Sequence, residues 1–282
     1  MKPLDKDSIM ASSELSLTRI APRLSEEHLA YLNKLANTTL WTLLSAALLL
    51  SVWTLAAYHI KDPVLLPMPT DVGRGFVTLI ANSTLLQDIL ASLKRVFIGF
   101  FIASAIAVPL AMALAHNLLT RRLMLPIINL LRPIPPIAWI PIGILWFGIG
   151  DATSYFITAI AAFFPIFLNA FAGGMAMEHH HLYAAKCLGA KRMSIIRYVM
   201  FPSALPMIWT GLKIGLGQSW MAVVTAELVA AQSGLGYMIQ VSRLNLDTAY
   251  VLVGMAVIGV LGSIMTHMLS WIEKHVLPWR NA

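Results

Sequence analysis

The sequence is poor in charge and nearly free of cysteine. Asp, Glu, Lys and Arg make up only 12% of its 282 residues, about half the share that a soluble globular domain uses to cover its surface. A soluble domain is therefore excluded, and so is a disordered chain, which needs low hydrophobicity and high charge. The lone Cys187 cannot form an internal disulfide, and no Cys/His spacing matches a zinc site. Glu178 is followed by His179, His180 and His181, which does not place two ligands on one helical face as His-Glu-x-x-His does. No metal site and no catalytic residue are expected. A Gly-x-x-x-x-Gly-Lys-Ser/Thr loop is also missing, and the dipeptide Gly-Lys never occurs. The chain has no P-loop cradle for phosphate, so any ATP it depends on must be bound by another chain.

What is present is apolar: 58% of the residues are hydrophobic and the mean hydropathy is +0.75. Apolar runs fall at about 39–59, 93–115, 124–147, 153–175, 204–229 and 250–271. Each is long enough, at about 1.5 Å per residue, to cross a bilayer as a helix. The fold class is an all-α polytopic membrane protein of about six spans. Residues 1–37 form a polar tail with five basic and five acidic residues, unlike a cleavable signal peptide, which carries an early apolar core. Within it Ser25, Glu26 and Glu27 read as a helix start, and Leu29, Leu32 and Leu35 share a face, predicting a short interfacial helix. Residues 38–282 form the transmembrane domain. Thr70 and Asp71 open a second interfacial helix, with Val72, Phe76, Leu79 and Ile80 on one side.

The charges are unevenly distributed among the loops. Lys2, Lys6, Arg19, Arg23 and Lys34, then Arg121 and Arg122, then Lys186, Lys191, Arg192 and Arg197, and finally Lys274 and Arg280 all fall on one side. The opposite loops hold only Lys61, Arg74 and Arg243. Such asymmetry puts both termini in the cytoplasm and accounts for the net charge of +7 without a nucleic acid partner.

Four features carry possible function. In the third span Arg132 precedes Pro133, Pro135 and Pro136; prolines break a helix, and a broken helix at membrane depth belongs beside protein or a wet cavity. Arg132 is thus a candidate for an anion path, the alternative being an arginine that snorkels to the headgroups. Lys213 and Glu227 are about 21 Å apart along one helix and cannot pair with each other. Each reaches its nearest interface or faces the path, with Gln218, Ser219 and Trp220 between them as lining or as packing. Gly99, Ala103, Ala107, Ala111 and Ala115 recur every four residues, and Gly211 and Gly215 do the same in the fifth span; such smooth stripes let helices approach closely and are read as scaffold. Finally, the basic loop 176–202 keeps a regular pattern, with a short helix over 181–189 closed by Gly189 and small Ala184 and Ala185 on its surface.

That loop carries a resemblance. Tyr183-Ala184-Ala185, three residues, Gly189, nine residues and then Val199-Met200-Phe201-Pro202 match the spacing of the Glu-Ala-Ala motif in permease subunits of binding-protein-dependent ABC importers, with Tyr183 in place of the Glu. Leu65 to Pro69, Leu131 to Pro141, Leu145 to Gly150, Ala226-Glu227 and Ser233 to Tyr237 resemble the permeases for sulfonates, taurine and nitrate, over about residues 40–282. The resemblance implies a type I ABC importer permease in the bacterial inner membrane. It also implies a second permease copy, two ATP-binding subunits that hold ATP and Mg, a substrate-binding protein, and Tyr183, Ala184, Ala185, Gly189 and Pro202 as a coupling helix docked on the ATPase. The expected cargo is an aliphatic sulfonate or taurine, with nitrate, bicarbonate, cyanate or another small solute as alternatives. An intramembrane enzyme would require Glu227, Arg132 and the histidines to converge. A passive channel would leave the coupling-type loop without a role.

Overall fold

The computed structural model describes residues 37, 40–177 and 179–277. The tail helix expected over 25–35 lies outside them. The described residues are helical, with no strand among them. The chain divides into two compact units, residues 1–62 and 63–282. In the first, α1 (Leu40–Ile60) is an apolar helix of 21 residues. Its Ser45, Ser51 and Thr54 hydroxyls donate to carbonyls four residues back, so they need no water, as a lipid-spanning helix requires.

The second unit begins with the amphipathic α2 (Pro69–Ala81), whose first turn holds Pro69 and Asp71. It continues through α3 (Thr84–His116) and α4 (Leu118–Leu131) to a 3-10 turn (Pro136–Trp139) and α5 (Ile140–Phe147). Next come α6 (Asp151–Met175), α7 (His179–Cys187), α8 (Arg192–Ile195), a π turn (Ile196–Met200), α9 (Phe201–Ala230), α10 (Leu235–Leu244) and α11 (Thr248–Val276). Five helices meet the length and apolarity of a membrane span, and a sixth is supplied if α4 and the Pro136–Phe147 segment are counted together. That segment departs from the straight crossing expected over 124–147: its halves meet at 95°. Pro133, Pro135 and Pro136 supply the physical cause, since consecutive prolines remove donors and exclude the preceding residues from the helical region.

The core is α3, α6 and α9, and its register can be read from contacts of small residues. A Cβ on Gly99 would lie 2.6 Å from Thr158 Cβ and 3.0 Å from the Tyr155 carbonyl, and one on Gly174 would lie 2.7 Å from Ala115 Cβ. Gly99 to Ala115 and Thr158 to Gly174 advance together, so α3 and α6 run parallel. Gly215 approaches Ala162 and Ile166, Gly211 approaches Ile166 and Asn169, and Gly173 approaches Ala204 and Met207, so α9 runs antiparallel to α6. Ala103, Ala107 and Ala111 are buried along the same seam. The smooth stripes thus do what small residues do between membrane helices, where close packing replaces the hydrophobic drive.

This packing makes a paired prediction. Gly99→Ala forces a methyl against α6 and should destabilise the folded chain by about 1 to 3 kcal/mol, whereas Gly217→Ala, with nothing within 4 Å of its Cβ, should not. Thermal unfolding in detergent measures both; equal midpoints for the two variants would contradict the seam.

Candidate functional site

The register brings the N-terminal ends of α3 and α6 to the C-terminal end of α9, and there the charges meet. Arg95 of α3 is 3% exposed. Its Nε and one terminal nitrogen donate to Asp151 Oδ1 at 2.8 and 2.6 Å, and the other terminal nitrogen donates to Glu227 Oε1 at 2.7 Å. The remaining donors reach the Ser233 carbonyl at 2.6 Å and its hydroxyl at 2.8 Å. All five N–H groups of the planar fork are used, which a lysine's three cannot reproduce.

Glu227 is 1% exposed and equally committed. Ser92 Oγ lies 2.9 and 2.8 Å from its two oxygens, and the Gly236 N–H donates to Oε2 at 3.0 Å. The Ser92 hydroxyl in turn accepts from Leu235 N–H at 2.9 Å, and Asp88 accepts from Gly234 N–H at 2.8 Å. The Ser233 to Tyr237 motif is therefore a backbone wrapped over a carboxylate. Gly234 has φ +104 and a Cβ there would overlap Glu227 Oε1, while one on Gly236 would lie 2.6 Å from the Val224 carbonyl. Only glycine fits both requirements at 234. The Phe147 to Gly150 turn is fixed to the same place: Gly148 and Gly150 have φ +76 and +137, and Gly150 N–H donates to the Ala230 carbonyl at 2.8 Å.

The residues singled out from sequence separate into two groups. Glu227 and Trp220, both read as path candidates, are turned into the chain's own core. The Trp220 indole donates to the Ile258 carbonyl at 3.0 Å, with Gly262 of α11 against its ring. Lys213 pairs with Glu273, in the last turn of α11, at 2.6 Å. Arg132 and Gln218 keep exposed side chains, Arg132 at the end of α4 where the bend begins. The arginine, glutamine, tryptophan and glutamate do not converge, and no group of three or more metal-ligating side chains occurs among the described residues.

The basic loop folds as its pattern predicts. The α7 helix ends at Cys187, Leu188 N–H and Ala190 N–H donate to the Ala184 and Ala185 carbonyls at 3.1 and 3.0 Å, and Gly189 takes φ +75. This is a helix end closed by a left-handed glycine. Tyr183 is 61% and Leu188 87% exposed, and Met193 and Tyr198 are exposed too, leaving an apolar surface on a loop that sequence charge assigns to the cytoplasm. Pro202 opens α9 directly after the π turn.

Arg95, Asp151 and Ser92 were not singled out from sequence, and Ser233 only as the first residue of a resemblance motif. A signal existed, since an arginine at the edge of the second span and acids at 151 and 227 all fall at span ends that the charge asymmetry puts on one side of the membrane.

A parallel and antiparallel helical core, a broken span and a solvent-facing helical loop define a polytopic membrane protein of the transport class. Residues 103–281 match the family described as binding-protein-dependent transport system inner membrane component, and the chain belongs to that family. It is a multi-pass inner-membrane protein, the permease component of an ABC importer. It is 36% identical over 241 residues to the taurine transport system permease protein TauC of Escherichia coli (strain K12), covering 83% of this chain and 88% of that one. Against the putative aliphatic sulfonates transport permease protein SsuC of Bacillus subtilis (strain 168) identity is 29%, with 85% and 87% covered. Against the nitrate import permease protein NrtB of Synechocystis sp. (strain PCC 6803) it is 28%, with 68% and 70% covered. The fold is similar to an inward-facing crystal structure of the MetNI methionine ABC transporter, with a TM-score of 0.59, 22% identity, and 69% of this chain and 95% of that chain covered.

Removing one partner from a buried pair leaves an uncompensated charge, at a cost of about 3 to 5 kcal/mol. Arg95→Ala should therefore lower the unfolding midpoint steeply, Arg95→Lys by an intermediate amount, and Glu227→Gln least, because the amide can still accept from Gly236 N–H. Midpoints of the three purified variants check this, and an Arg95→Ala variant as stable as wild type would refute the pairing.

Proposed function

We propose that this permease imports a small organic anion of the sulfonate class, such as taurine, in an assembly of two copies of the chain, two ATP-binding subunits and a substrate-binding protein. ATP and Mg are held by the ATPase subunits, and both termini of the chain are cytoplasmic. The observation that carries the reading is the solvent-facing helix α7 with its glycine closure and apolar surface, on a chain that has no nucleotide cradle of its own. Tyr183, Ala184, Ala185, Gly189 and Pro202 form the coupling surface. The small alanines admit a close partner, and Tyr183 contributes an aromatic contact in place of a carboxylate. Closure of an ATPase dimer would draw two such loops together and turn the cavity outward, a bistable helical assembly biased by its partner's ligand. The sulfonate class is supported by the names of the relatives and by the exposed Arg132 beside the break, a positive charge on an apolar segment. Glu227 and Trp220 take no part in the path; Gln218 remains a candidate.

Coupling is tested by reconstituting the chain with an ATPase and binding protein encoded beside it. Gly189→Pro or Ala185→Trp should leave membrane insertion intact, while ATP hydrolysis no longer drives uptake of labelled taurine. Wild-type uptake in both variants would remove α7 from coupling, and uptake that needs no ATP would establish a passive channel. For the path, uptake per purified complex should fall at least severalfold in Arg132→Ala and recover in part in Arg132→Lys, since lysine keeps a point charge without the planar fork. Equal normalised uptake in all three proteins would show that Arg132 serves anchoring alone.

A further inference from the structure

On α4, the residues at 118, 121, 122, 125 and 129 fall on one helical face, where Leu118, Arg121, Arg122, Leu125, Pro126 and Asn129 border a shallow, open cleft of about 610 Å³. The cleft runs along most of α4, and its two arginines lie toward the end that sequence charge places at the cytoplasmic leaflet. Nothing in the transport reading uses it: α4 follows α3 through the single residue Asn117, whose side chain caps the helix by accepting from Leu119 N–H, and α7 lies on another loop. The two guanidiniums meet no carboxylate among the described residues. Arg121 donates to the Met175 thioether at 3.0 Å, a weak acceptor that carries no negative charge.

We propose that this cleft binds the phosphodiester headgroup of an anionic phospholipid of the cytoplasmic leaflet. Two arginines suit a phosphate oxygen set, because each fork can donate two parallel bonds. Asn129 adds an amide donor for the glycerol or headgroup oxygens. The apolar lining identifies the source: Leu118, Leu125 and Pro126 border the same cleft and match the first methylenes of acyl chains, which a free phosphate lacks. Leu119, Leu123, Ile127 and Leu130 are exposed elsewhere on α4, so apolar surface surrounds the two arginines. Juxtamembrane basic groups gain from anionic lipid in this position.

The test uses the full chain in nanodiscs of mixed phosphatidylglycerol and phosphatidylcholine, with lipid retained after mild delipidation counted by native mass spectrometry. Wild type should retain phosphatidylglycerol preferentially. Arg121→Ala/Arg122→Ala should lose that preference by roughly tenfold or more, from the contribution of each basic group at an anionic surface. Arg121→Lys/Arg122→Lys should keep part of it. Inorganic phosphate at millimolar concentration should not displace the lipid. No lipid preference in wild type, or a preference unchanged in the alanine pair, overturns the proposal. Displacement by phosphate alone reassigns the cleft to a free anion, and loss of the preference when an ATPase subunit is added reassigns it to a protein surface. Should the alanine pair fail to fold, the wild-type lipid competition and the lysine pair decide the matter.

Discussion

A guanidinium withdrawn from water must have each of its donors satisfied, and in this protein that requirement falls on Arg95. Its five N–H groups reach α3's neighbours on three separate segments: Asp151 at the start of α6, Glu227 near the end of α9, and Ser233 in the turn before α10. Buried pairs of this kind contribute less to net stability than their geometry suggests, because desolvation offsets much of the attraction. Their greater effect is on uniqueness. With the charges placed, α3, α6 and α9 sit in a register that pairs both Arg95 and Glu227.

Consequences for transport follow from where that knot lies on α9. This helix of 30 residues starts at the π turn that follows α7 and α8 and ends three residues beyond Glu227, about 45 Å away at 1.5 Å per residue. A single helix thus joins the α7–α8 loop at one end to the charge cluster at the other, and it is attached to α11 along the way by Lys213 with Glu273 and by the Trp220 indole. Among the described residues the bent segment between α4 and α5 has no comparable tie at the exposed Arg132 side chain. Its far end is held by the glycine turn that bonds Gly150 to Ala230.

The spans and the small-residue stripes were legible because both depend on local composition and period, and α7 with Gly189 was legible because a helix end needs a left-handed residue. What sequence could not supply was the register between helices. Glu227 and Trp220 were path candidates, with an interface role for the first and helix packing for the second as alternatives; the partners that bury them, Arg95, Ser92 and the Ile258 carbonyl, are 132, 135 and 38 residues away. The Ser233 to Tyr237 motif was visible as a resemblance, but its cause, a glycine backbone too close to a carboxylate for any Cβ, exists only in three dimensions. Arg132 shows the converse: its position at the break was evident from three prolines, whereas the 95° angle was not.

The central claim, that one buried ion pair fixes the registration of the core, is tested most directly by replacing both of its members at once. In the double variant Arg95→Met/Glu227→Leu no buried charge is left stranded, because Asp151, which also loses its partner, is 47% exposed, so the unfolding midpoint should lie well above that of either single variant and recover most of the loss. Midpoint losses that simply add in the double variant would show that the two side chains act independently, and would contradict the account.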